Sequence, residues 1–160
     1  MTSPLLDFRN AIAALLTGDA TFSGAVNTLL GQTVSTVLNT NMPLGEIPAG
    51  MYPCWVIELG DGAAAAISNN DTAIQTIGLA QQTFTNDLYL ALVWGEQNRD
   101  KAADARATLP VLLTQLLLRN PMPGGIDGAT VTAFQPDRGG NHPVQIWRAT
   151  VSGDLTFARA

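Results

Sequence analysis

The sequence is short of charge, cysteine and histidine, and each shortage excludes a class of function. Only 13% of the 160 residues are charged, about half the roughly 25% of an average soluble domain. The single cysteine, Cys54, excludes an internal disulfide. The eight lysine and arginine residues are scattered along a chain of net charge −5. Because tight binding along nucleic acid needs clustered basic residues, a dedicated nucleic-acid-binding protein is disfavoured.

Long apolar runs are also missing. No apolar stretch approaches the roughly 20 residues that span a bilayer, and the N-terminus lacks the pattern of a signal peptide. We therefore expect no membrane partner. The apolar content of 46% is ordinary for a globular protein, and we predict one domain over residues 1–160. The low charge leaves two explanations open: other subunits cover part of the surface, or uncharged polar residues supply its polarity.

Residues typical of catalytic and metal sites occur singly. The only histidine, His142, lies in a glycine-rich loop and is expected to be exposed. Cys54 begins a predicted strand and is expected to be a small buried hydrophobic residue. The glycines at 60–62 and 124–125 lack the lysine and the strand-to-helix context of a phosphate-binding loop. We predict no catalytic residue, no metal site and no cofactor, and therefore a protein that is not an enzyme.

Strand patterns are clearest near the end of the sequence. Trp147 to Phe157 alternates between apolar and polar residues, which is typical of a half-buried β-strand. Gln81 to Trp94 shows the same alternation over a similar length, so we predict that these two strands pair at the centre of a sheet. Shorter strands are predicted at Gln32–Thr40, Pro53–Leu59 and Ala129–Phe134, and a turn at Gly60–Gly62.

Helical spacing of apolar residues occurs in three places. The first helix is predicted over Pro4–Gly18, and the second is capped by Asp19 and closed by Gly31. The third begins after Asn98 and contains Pro110, which predicts a kink, or two helices of which the second starts at Pro110. Because strands and helices do not alternate regularly, we predict an α+β fold. It has a mostly antiparallel central sheet, with the N-terminal helices and one long kinked helix packed on it.

Two segments are candidates for subunit or partner contacts. The second half of the third helix is apolar on two opposite sides, so another helix or a neighbouring subunit must cover the outer one. The segment at about 63–81 is low in charge and lacks periodicity, and we interpret it as a flexible loop or arm, either for binding or as a plain insertion. The predicted interface residues in these segments are Ile67, Ile74, Ile77, Val111 and Leu118.

The order of elements resembles a known family. A proline-rich stretch, Ile47–Ile57, leads into a strand and a long variable loop, and the long strand Leu88–Trp94 follows. Next comes a helix whose start mixes charge and alanine, Arg99–Asp104, and after its leucine-rich end two strands close the chain. This order is similar to that of the tail terminator (tail completion) proteins of long-tailed bacteriophages over nearly the whole chain. The resemblance depends on element order and not on a diagnostic motif.

The resemblance implies a structural role in a virion. Family members form a hexameric ring on the tail tube, stop its polymerisation and present the surface that joins the head. The implied partners are copies of the chain itself in a homo-hexamer, the tail tube protein, a neck or connector protein, and DNA that passes through the lumen without specific binding. The implied location is the tail or neck of the virion, assembled in the host cytoplasm. Two alternatives stay open: a neck or head–tail joining (head completion) protein, and a small ligand-binding or hydrolase α+β domain.

Overall fold

The computed structural model describes residues 4–39, 43–64, 81–136 and 141–158. Over these residues the chain forms helices on one side of a five-stranded sheet, which confirms the α+β prediction. The helices are α1 (Pro4–Gly18), α2 (Ala20–Leu30) and α3 (Arg99–Arg119). The strands are β1 (Thr36–Leu38), β2 (Cys54–Ala64), β3 (Gln81–Gly95), β4 (Asp127–Pro136) and β5 (Val144–Ala158). Short 3-10 turns occupy Leu44–Glu46, Ala49–Met51 and Pro123–Gly125.

The sheet has the order β1-β2-β3-β5-β4. Only β1 runs parallel to its neighbour, and the other pairs are antiparallel. The two longest strands, β3 and β5, lie at the centre in unbroken register, from Gln81 opposite Ala158 to Gly95 opposite Val144. The predicted central pair is therefore confirmed.

The main core lies between the helices and one face of the sheet. The alternation predicted for β5 places Trp147 and Val151 on this face, and both are fully buried. Trp147 meets Trp55 of β2 edge-on at a centroid distance of 6.5 Å. Phe22 of α2 packs near Trp55 at a centroid distance of 6.0 Å. Aromatic pairs in such geometries stabilise a core beyond their buried area, so this row of rings ties α2 to the sheet.

The predicted helix caps form as expected. Asp19 accepts a hydrogen bond from the backbone N–H of Phe22 at 2.8 Å, and Asn98 accepts from the first backbone N–H groups of α3. Gly31 ends α2 in the left-handed region at φ 66°, which favours glycine. Arg119 at the end of α3 pairs with Asp19 at 3.0 Å. This ion pair joins the end of α3 to the start of α2.

The predicted turn at Gly60–Gly62 is wrong. Strand β2 continues to Ala64 through an irregularity in its pairing with β3 between Leu59 and Gly62. A Cβ at Gly60 would lie 2.9 Å from ring atoms of Tyr89 and from the Asp87 carbonyl oxygen. Glycine is therefore needed here for a close approach between strands, and not for a reversal of the chain.

Two other predicted boundaries also differ from the structure. The segment predicted as an arm begins and ends in strands, since Ala63 and Ala64 belong to β2 and Gln81 to β3; residues 65–80 lie outside the described residues. Helix α3 runs through Pro110 as one helix. The alternative of two separate helices is therefore wrong, while the kink stays a prediction.

Candidate interaction surfaces

Cys54 and His142, the residues considered for chemistry, both lie in the part of the chain that the structure describes. Cys54 is buried, and its burial raises the pKa of the thiol, which keeps it protonated and unreactive at neutral pH. His142 is half-buried and not fully exposed as expected, with its Nδ1 3.4 Å from Nε2 of Gln145. Within the described ranges, no three His, Cys, Asp or Glu residues are grouped so that they could hold a metal ion. None of the described helices has the length and apolar character needed to cross a membrane.

Helix α3 carries an exposed uncharged stripe, which we call the outer stripe. Its inward side is fully buried on the sheet through Leu109, Leu113 and Leu116. On the outward side Val111 is 54% exposed and Leu118 is 76% exposed. Residues three or four positions apart share one side of a helix. The outer stripe therefore consists of Ala103, Ala107, Val111, Thr114 and Leu118, with Met122, 60% exposed, just after the helix.

The outer stripe lacks charge over its whole C-terminal half. No charged residue occurs between Ala107 and Leu118. The Thr114 hydroxyl donates to the Pro110 carbonyl oxygen at 2.8 Å, so this polar group is satisfied within the helix. Val111 and Leu118, two of the predicted interface residues, thus lie on one exposed side. The other three, Ile67, Ile74 and Ile77, lie outside the described residues.

Polar contacts hold the start of α3 in place. Arg106 donates to Oε1 of Gln145 in β5 at 2.6 Å, and the Gln145 amide nitrogen donates to the Glu96 carbonyl oxygen at 3.2 Å. The pKa of the Glu96 carboxyl is lowered, first by the hydrogen bond from the Asn98 backbone N–H and then by Lys101, whose ammonium lies 3.3 Å away. Gln145 itself is 1% exposed. The outer stripe is therefore presented by a helix anchored to β3 and β5.

The second surface is the sheet face that points away from the helices, which we call the open face. One end of it is covered by residues 43–53, through a small apolar cluster that includes Ile47, Val56 and Ile146. The hydroxyl of Tyr52 donates to the Ile47 carbonyl oxygen at 3.0 Å and holds this cover in place. The cover stops partway across the sheet, so the rest of the open face has no second layer within the described residues.

The uncovered part of the open face forms a groove of about 810 Å³. Glu58, Tyr89 and Thr150 lie side by side across β2, β3 and β5 in its floor. Tyr89, 39% exposed, is an exposed aromatic residue of its floor, and Ala133 of β4, opposite Thr150, lies exposed at its edge. Its charged lining residues are one acid, Glu58, and one base, Arg148. The groove therefore combines aromatic surface with no net charge.

Beyond the groove the open face becomes polar. Ser152 donates to the Asp87 carboxylate, and its oxygen lies 3.0 Å from the Thr132 hydroxyl. Further along, Thr85 donates to Asp154 at 2.7 Å. These side chains satisfy one another across the strands. The groove is thus bounded by a polar ladder on one side and by the apolar cover on the other.

Sequence reasoning missed the groove, although a partial signal was present. In the alternation of β3, Tyr89 and Ala91 point away from the leucines that enter the core. An aromatic residue on that side indicates a second apolar surface. The groove forms only because β2, β3, β5 and β4 lie side by side in the sheet, and the sequence pattern of a single strand does not predict that order.

Comparisons with known proteins give a likeness at the level of the fold. The sequence matches no protein-family profile and no curated protein. A chain in the virion of a native gene transfer agent particle superimposes with a TM-score of 0.52 and 12% identity, covering 98% of this chain and 100% of that chain. The sheath/tube terminator of an extracellular contractile injection system, in its extended state, gives a TM-score of 0.44 and 16% identity. That second match covers 99% of this chain but only 59% of the terminator. The resemblance inferred from element order thus extends to the fold of a virion protein.

Proposed function

We propose that this chain is a tail terminator, a structural protein that caps the tail tube of a phage-like particle. The observation that carries the proposal is the end-to-end fold likeness to a chain of a gene transfer agent virion, at a TM-score of 0.52 over 98% of one chain and 100% of the other. The expected location is accordingly the tail or neck of the particle.

The proposed assembly is a homo-hexameric ring seated on the last ring of the tube. A closed ring requires two different patches on each subunit, because each copy contacts its neighbours head to tail. The outer stripe and the groove are two such patches, and both are low in charge. Six copies of the 16.8 kDa chain give a ring of about 101 kDa. The ring stops tube polymerisation, joins the neck protein and lets DNA pass without specific binding.

The function is tested by removing the chain from the particles that contain it. A terminator is expected to be needed for tails of one length, so particles without it should carry tails of uneven or excessive length. Wild-type protein supplied in trans should restore uniform tails. Deletion of residues 67–80 should leave the fold intact and impair this rescue.

The same experiment separates the alternatives. Loss of a neck or head–tail joining protein should give tails of normal length that are detached from heads. Particles of normal length that remain joined to heads would contradict both structural roles. A ligand-binding or hydrolase domain would in addition run as a monomer or dimer, and would bind a small molecule in the groove.

A further inference from the structure

We propose that the outer stripe of one copy docks into the groove on the open face of the next copy. The inference rests on the proposed function, because it assigns the two patches of a head-to-tail assembly. The occupant of the groove is thus a second copy of this chain, in particular its helix α3. Val111 and Leu118 enter the groove, and Tyr89 and Ala133 receive them.

The first argument is the match in shape and spacing. Helices that lie in grooves use anchors at positions i, i+3 or i+4, and i+7. Val111, Thr114 and Leu118 have this spacing, and the groove offers the exposed Tyr89 in its floor and the exposed Ala133 on the edge strand β4. Four strands at about 4.8 Å spacing make the open face about 14 Å wide, and a helix with side chains is about 10–12 Å across. A single helix therefore fits along it.

The second argument is electrostatic. Each copy carries a net charge of −5, so two copies meet with less repulsion through faces that carry no net charge than through acidic faces. The outer stripe has no charged residue from Ala107 to Leu118. The groove has one acid, Glu58, and one base, Arg148, and so no net charge. Neither surface has the basic cluster that would select nucleic acid or an acidic protein.

The third argument comes from the position of the two surfaces in the fold. The outer stripe faces outward from the helix layer, and the groove lies on the opposite side of the sheet. A contact between them leaves a free groove on one copy and a free stripe on the other, so the contact repeats head to tail. It also gives the exposed sheet face the second helical layer that sheets commonly have. A stripe-to-stripe contact would instead stop at a two-fold dimer.

Disulfide trapping with the full chain tests the contact. Val111→Cys places a thiol in the outer stripe, and Ala133→Cys places one on an exposed position that lines the groove. The two positions are on opposite sides of the sheet, so they meet only between copies. The native Cys54 is fully buried and does not compete. The double variant Val111→Cys/Ala133→Cys, oxidised and run without reductant, should give a ladder of linked species that collapses with reductant.

The controls use single and displaced thiols. Each single variant should stay unlinked. Ala14→Cys/Ala133→Cys, with one thiol on the exposed side of α1, should also stay unlinked, because α1 does not enter the groove. Leu118→Asp added to the trapping variant should remove the ladder while circular dichroism shows the fold intact.

Three results would overturn the inference. A dimer from Val111→Cys alone would show a stripe-to-stripe contact. A ladder from the Ala14 control equal to that of the trapping variant would show random collision. No ladder at any concentration, including those at which light scattering shows oligomers, would place the contact elsewhere. In each case the tail-length experiment still decides the proposed function, so the two failures are distinguishable.

Discussion

Two adjacent leucines near the end of α3 provide a sharp test of the outer stripe. Leu117 is 3% exposed and Leu118 is 76% exposed. Changing either to alanine removes the same atoms from the same helical turn, so the change in helix propensity is shared and only the surroundings differ. Leu117→Ala leaves a cavity, which costs about 2–5 kcal/mol of unfolding free energy. Leu118→Ala should change the unfolding free energy by less than about 0.5 kcal/mol, because the side chain is largely exposed.

These free energies translate into a measurable difference in melting temperature. In a domain of this size, 1 kcal/mol shifts Tm by about 2–4 °C. Leu117→Ala should therefore lower Tm by about 4–20 °C, and Leu118→Ala by no more than about 2 °C. The two Tm values are measured by thermal unfolding followed by circular dichroism. The protein is kept dilute so that association does not contribute.

Association between copies should instead depend on Leu118, which is exposed, and not on Leu117, which is buried. Truncating a hot-spot residue of an interface costs more than about 1 kcal/mol, which is about fivefold or more in affinity, and we expect Leu118 to be such a residue of the outer stripe. Sedimentation velocity across a concentration series should show weaker association for Leu118→Ala. A Tm loss for Leu118→Ala as large as that for Leu117→Ala would refute the reasoning, because it would mean that Leu118 is packed within its own subunit.

Three further substitutions test the core, a cap and a close contact. Val151→Asp should yield no folded protein in circular dichroism, because it buries an unpaired carboxylate at a fully buried position; a soluble, folded variant would contradict the facing of β5. Asp19→Asn should lower stability at neutral pH, since the pKa of Asp19 is lowered, first by the Phe22 N–H bond and then by Arg119. A carboxyl group whose pKa is lowered by folding stabilises the fold at pH values above the ordinary Asp pKa of about 3.9. This stabilisation is lost as the pH falls through the pKa that the group has in the folded protein. The difference in unfolding free energy between this variant and wild type, measured by urea titration, should therefore become smaller in acid. A difference that grows in acid would contradict this account of the pH dependence. Gly153→Ala should cost about 1–3 kcal/mol in urea titrations, because the new methyl group meets the Cγ2 atom of the buried Ile126; an unchanged midpoint would show that Ile126 can move.

Local signals explain which parts of the fold could be predicted. Asp19 and Asn98 begin helices because their short side chains accept hydrogen bonds from backbone N–H groups within three residues. Trp147 and Val151 face the core because side chains alternate along a strand. Both effects act over a few residues, so the sequence pattern is enough to find them.

Non-local effects explain the errors and the missed surface. The glycines at positions 60 and 62 are equally compatible with a turn and with an irregular strand. The close approach of Gly60 to Tyr89, which comes from another strand, determines that the strand continues. The groove brings together Glu58, Tyr89 and Thr150 only because β5 inserts between β3 and β4. The exposed side of α3 was visible in the sequence through Val111 and Leu118, whereas the surface proposed to receive it was not.

The central β3–β5 pair has a consequence for how the chain is made. Its partners are far apart in sequence: Asp87 and Ser152 are separated by 65 residues, and Thr85 and Asp154 by 69. During synthesis β3 therefore emerges long before β5 and must wait for it. Until then neither the floor of the groove nor the support of α3 is complete. Under the proposed docking of α3 into the groove, a chain could join its neighbours only once β5 has taken its place in the sheet.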